Sequence, residues 1–104
     1  MRTEQGDVYF TECKIPETAA KMTCKDRYVL AEGEVTGHAH AVYDLSTCDV
    51  FIDCDGEIYV ETKEPTIVKH EEHKPVVLEK GKTFKVSIVK EYDPFAEEIR
   101  RVRD

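Results

Sequence analysis

Cys48-Asp49-Val50-Phe51-Ile52-Asp53-Cys54-Asp55-Gly56-Glu57-Ile58-Tyr59-Val60-Glu61 is the stretch on which the fold turns. Apolar and polar residues alternate on both sides of Asp55-Gly56, a dipeptide suited to the positive φ angles of a tight hairpin. Each flanking run therefore reads as a strand with one buried and one wetter face. Cys48, Val50, Ile52 and Cys54 share the even register, which predicts both thiols in the core as small apolar groups. A straight strand would hold those two sulfurs roughly 20 Å apart, too far for a bond between them.

Working outward, the same grammar recurs. Segments 7–15, 27–36, 38–45, 48–53, 57–63, 66–69, 75–79 and 83–91 are short, rich in Val, Ile, Tyr and Phe, and separated by turn residues. Glu79-Lys80-Gly81-Lys82 reads as a second reversal. The expectation is an all-β, single-domain fold over residues 1–104, a small barrel or sandwich. Two segments depart from the strand pattern. Residues 16–22 have the composition of a single helical turn. At the far end Asp93 can cap, Pro94 suits a first helical position, and Phe95, Ile99 and Val102 form an apolar stripe. Together these predict a short C-terminal helix over about 94–102.

Composition narrows the function classes. A hydrophobic share of 40% and a charged share of 36% describe a soluble globule with one core. No apolar run approaches the roughly 20 residues that cross a bilayer, and the first residues carry no apolar leader, which points to a cytoplasmic protein with no membrane partner. A net charge of -7 argues against nucleic acid as a partner, since phosphate binding needs clustered Lys and Arg. The basic cluster Arg100, Arg101 and Arg103 reads as a solvated helix end. Cys13, Cys24, Cys48 and Cys54 lack Cys-x-x-Cys spacing; Cys13 and Cys24 flank an irregular segment and could pair, but a cytoplasmic site favours reduced thiols.

All four histidines fall in two pairs, His38-Ala39-His40 and His70-Glu71-Glu72-His73. On a strand the period of two sets His38 and His40 on one face, and a second pair brought alongside would complete a metal shell. His38, His40, His70 and His73 are thus the candidate ligands of a divalent transition metal, with zinc, manganese, iron and nickel all open. Three histidines with Glu71 or Glu72 as an oxygen ligand is the other form of the same reading. The spacing of His70 and His73, three apart with Pro75 close behind, is not that of the zinc-protease helix motif. Two alternatives stand beside it: a histidine cluster that serves binding or catalysis without a metal, and the bland one in which the histidines are surface residues or satisfy turn backbones. No catalytic residue is identified, and whether the chain is an enzyme stays open.

Gly33, Gly37, His38 and His40 resemble the opening of the first motif of the cupin superfamily, with Asp44 near the place of that motif's Glu. The second cupin motif is absent. The resemblance implies a β-barrel and a metal shell. Gly6-Asp7-Val8, Gly33-Glu34-Val35-Thr36-Gly37-His38-Ala39-His40, His70-Glu71-Glu72-His73-Lys74-Pro75, Gly81 and Glu91-Tyr92-Asp93-Pro94 resemble the motifs of a family of small uncharacterised cupin-like proteins of bacteria, archaea and phages. That likeness spans nearly the whole chain and implies that the motifs belong together.

Three functions compete. The first is a metal-dependent enzyme or sensor of a small-molecule ligand, with Glu71, Glu72 or Asp44 as ligand or general base beside the histidines. The second is a non-enzymatic assembly module, a homo-oligomer held through the Phe95, Ile99 and Val102 stripe. The third, a hydrolase using Asp49, Asp53 and Asp55, is disfavoured because those carboxylates read as a solvated strand face and a turn signal.

Overall fold

The computed structural model describes residues 2–33 and 37–88. Its strands are β1 (Arg2–Gln5), β2 (Val8–Glu12), β3 (Ala20–Lys21), β4 (Tyr28–Glu32), β5 (Ala39–Val42), β6 (Cys48–Ile52), β7 (Ile58–Thr62), β8 (Thr66–Val68), β9 (Val76–Leu78) and β10 (Thr83–Ile88). The Asp55-Gly56 reversal forms as expected: Gly56 takes φ +85°, and Asp53 Oδ1 accepts the N–H groups of Asp55 and Glu57, each at 2.9 Å. β6 and β7 then pair antiparallel with Val50 opposite Val60.

Six strands form one antiparallel sheet in the order β1-β2-β10-β7-β6-β3. Opposite its inner face lie two hairpins, β4–β5 and β8–β9, stitched together by reciprocal backbone hydrogen bonds between Ala41 and Lys69. Val8, Phe10, Val50, Val60, Phe84 and Val86 from the large sheet meet Tyr28, Leu30, Val42, Val68 and Leu78 from the hairpins in one core. Among the described residues the fold is all-β as expected, and the sheets remain open, without closing into a barrel. Among the described residues no helix is long and apolar enough to cross a membrane. The helix expected over 94–102, with its Phe95, Ile99 and Val102 stripe, lies outside the described residues.

Three expectations are corrected. Residues 16–22 make only one reversal, with Ala19 N–H donating to Pro16 O; Ala20 and Lys21 then extend along β6 opposite Ile52 and Phe51, because an edge strand offers them backbone partners. Cys48 is buried but Cys54 is exposed: the strand ends at Ile52, and the Asp53 turn throws the next side chains outward. The first segment is not one strand from residue 7. It is the second arm of a hairpin whose first arm, β1, has no apolar alternation to betray it. The four cysteines are free thiols. Asp49 is clasped by Lys21 and Lys63, at 3.2 and 3.4 Å, so it and Asp53 are occupied in holding strands and a turn.

Candidate metal centre

Three pieces of backbone meet beside the hairpin face. The β1–β2 turn brings Gly6-Asp7, β5 brings His40 with His38 just before it, and the β8–β9 connection brings His70 and His73. The imidazoles gather: ring centroids lie 4.4 Å apart for His40 and His70, 4.7 Å for His70 and His73, 5.6 Å for His38 and His70, and 6.2 Å for His40 and His73. Two sequence segments separated by thirty positions are thus one cluster because Ala41 and Lys69 pair across the hairpins. The rings are neighbours without forming a coordination sphere: among the described residues no three His, Cys, Asp or Glu side chains stand close enough to share an ion.

Gln5 organises the buried side of this cluster. It is only 3% exposed, and its Nε2 donates to the carbonyl oxygens of Val68 and Lys74, both at 2.9 Å. Because both partners are acceptors, the atom facing them must be the amide nitrogen. The opposite atom, Oε1, lies 2.8 Å from His40 Nδ1, so His40 donates there and carries its neutral-form proton on Nδ1. Nε2 of His40 is left with a bare lone pair. That nitrogen faces Asp7 Oδ1 at 3.6 Å, too long for a hydrogen bond.

His40 is 1% exposed. Burial first, then the neighbouring His70, hold its pKa below the ordinary histidine value, with His73 adding to the effect and Asp7 opposing it. The sign of the consequence follows from linkage. The unfolded chain binds the proton more readily, so the stability is complete above about pH 6.5 and is lost as pH falls through the lower folded value. With chelator present, the unfolding free energy from urea titration is expected to fall between pH 7.5 and 5.5, by at most about 1.4 kcal/mol over the one pH unit below the unfolded value. A flat value over that window would contradict the assignment.

The second histidine pair is used differently. His70 Nδ1 accepts the backbone N–H groups of Glu72 and His73, at 3.0 and 3.4 Å, so its neutral form carries the proton on Nε2. The Glu71 carboxylate accepts Ala39 N–H at 2.9 and 3.2 Å, and that backbone donor holds its pKa below the usual carboxylate range. Glu71 therefore ties the loop to β5. Glu72 Oε1 stands 3.9 Å from His38 Nδ1, a nitrogen that is buried and has no hydrogen-bond partner among the described residues. Asp44 caps the 3-10 turn Leu45–Thr47, accepting Ser46 N–H and Ser46 Oγ–H.

Two glycines make room for the rings. A Cβ on Gly6 would sit 2.5 Å from His73 Nε2, and one on Gly33 would sit 2.9 Å from His38 Cβ and 3.0 Å from His70 Nε2. Gly6 also takes φ +60°, a conformation costly for residues with a Cβ. Sequence reasoning picked out the four histidines and missed Gln5 and Asp7. The available signal was Gly6-Asp7-Val8, quoted with the histidine motifs but given no role of its own.

No curated protein and no solved structure matches the chain. A family model described as a domain of unknown function, DUF8820, matches residues 4–88, a span that includes Gln5, the Gly6-Asp7 turn, all four histidines and β10. The chain belongs to that family.

Proposed function

We propose that this domain binds one divalent transition-metal ion at the histidine cluster. The observation that carries the reading is the Gln5–His40 pair: a buried amide fixes the Nδ1–H tautomer and so presents Nε2 as a lone-pair donor. Metal-bound histidines are commonly oriented in this way, by a hydrogen bond from the distal nitrogen to an oxygen acceptor. The gathering of His38, His70 and His73 around the same ring supports it, as does the likeness of the Gly33 to His40 stretch to the cupins. Imidazole donors suit zinc, nickel and iron, and a carboxylate nearby extends the range to manganese. A metal held there supplies a Lewis acid.

The test is metal content by elemental mass spectrometry on protein purified without an affinity tag. Roughly one ion per chain is expected, with the metal lost from His40→Ala while circular dichroism still reports the strands. A wild type that stays empty after exposure to zinc, nickel, manganese and iron would return the histidines to a purely structural role.

A further inference from the structure

Two of the four thiols fall opposite each other at the edge of the large sheet. The register of β3 on β6 sets Ala20 against Ile52 and Lys21 against Phe51, and Met22 N–H carries the pairing one residue further by donating to Val50 O at 2.7 Å. Counting on two residues from that bond, Cys24 lies across from Cys48. Directly opposed residues of an antiparallel pair share a face, and burial agrees. Met22 and Cys24 are half-buried against the core that holds Val50 and Cys48, while Lys21, Thr23 and Lys25 are exposed. Tyr28, at the start of β4, marks the same place: burial first, then the nearby Cys48, Asp49 and Cys24, raise the pKa of its hydroxyl.

The Met22 bond makes 24 and 48 a position of the hydrogen-bonded kind, at which paired Cα atoms stand about 5.5 Å apart, inside the roughly 4.4–6.8 Å that a disulfide spans. The other two cysteines are not placed to compete. Cys13 follows β2, and β10, β7 and β6 lie between β2 and β3, four strand spacings of about 4.8 Å, or roughly 19 Å. Cys54 is exposed on the reversal beyond the end of β6.

We propose that Cys24 and Cys48 are a dithiol site that closes to a disulfide on reaction with a small disulfide such as oxidised glutathione, tying the end of the β3 edge to the first residue of β6. Cys48 is fully buried, and burial holds its thiol pKa above the ordinary value, so the half-buried Cys24 is the point of entry. The Cys24 thiolate attacks one sulfur of the small disulfide, which forms a mixed disulfide and releases a thiolate that takes up the proton Cys24 gave to water. Cys48 Sγ then attacks Cys24 Sγ, and the second small thiol leaves with the Cys48 proton. Two protein thiols are oxidised and one small disulfide is reduced to two thiols. The ring closed in this way contains β4 and β5, so oxidation fastens the first hairpin of the second layer to the large sheet.

The experiment treats the full chain, folded and with chelator present, with oxidised glutathione, then blocks the remaining thiols with iodoacetamide and maps the peptides by mass spectrometry. Cys24→Ser and Cys48→Ala are treated in parallel; Cys24→Ser, at a half-buried position, keeps the control intact should Cys48→Ala fail to fold. Wild type is expected to lose two of its four thiols to a bond between the peptides that carry Cys24 and Cys48, to regain both with dithiothreitol, and to melt at least about 5 °C higher when oxidised, because the cross-link restricts the unfolded chain. Neither variant is expected to form an internal bond or to melt higher after treatment. Four thiols left after treatment, a mixed disulfide that persists on Cys24, a bond that uses Cys13 or Cys54, or closure only in urea would each overturn the site.

Discussion

Gln5→Leu is expected to destabilise the domain by about 2 kcal/mol or more, because one change of similar volume strands two buried partners, at roughly 1–3 kcal/mol apiece, and a part-buried third. The carbonyls of Val68 and Lys74 and the Nδ1–H of His40 all lose their hydrogen bonds. Leucine fills the space, so the loss comes from polar groups without partners, not from a cavity. Urea unfolding at pH 7.5 with chelator measures it, and a loss below about 1 kcal/mol would show that Gln5 is no clamp. With the tautomer of His40 no longer fixed, Zn2+ affinity is expected to fall about 10–100-fold.

Phe10→Ala is expected to cost about 3–5 kcal/mol by a different route, the loss of a large ring and the cavity left behind. Phe10 is fully buried, opposite Thr3 on β1 and Val86 on β10, on the core-facing side of the large sheet. For a domain whose whole stability is of the order of 5–15 kcal/mol this is a large share. The two variants separate fold from site. At a temperature where both remain folded, Phe10→Ala is expected to keep its Zn2+ affinity and Gln5→Leu to lose it. Equal loss of affinity in both would mean that the site responds only to global stability.

The legibility of this chain followed burial. Where one face of a strand is buried and the other wetter, as along β6 and β10, alternation declares both the strand and its inward residues. The Asp55-Gly56 hairpin was readable for the same reason. β1 was not, because Thr3, Glu4 and Gln5 carry no apolar alternation, and the strand exists by virtue of backbone pairing to β2. Gln5 is the costliest miss: a buried glutamine is identified by its partners at positions 40, 68 and 74, which no local pattern reveals. Cys54 was misplaced because the even register was carried two residues beyond the end of β6. Among the histidines, pairing in sequence foretold proximity. It could not foretell that His70 would turn one nitrogen back onto its own loop.

The hydrogen bond from Gln5 to Lys74 spans 69 positions of a 104-residue chain. During synthesis on a ribosome, the segment that fixes His40 is made first and the carbonyls that anchor it are made far later. Emergence of β5 alone cannot produce a tautomerically fixed donor. Only once the β8–β9 hairpin has been released and folded against β1 can Gln5 close its contacts and orient His40, which places the organisation of the histidine cluster at the end of folding, when non-local contacts close.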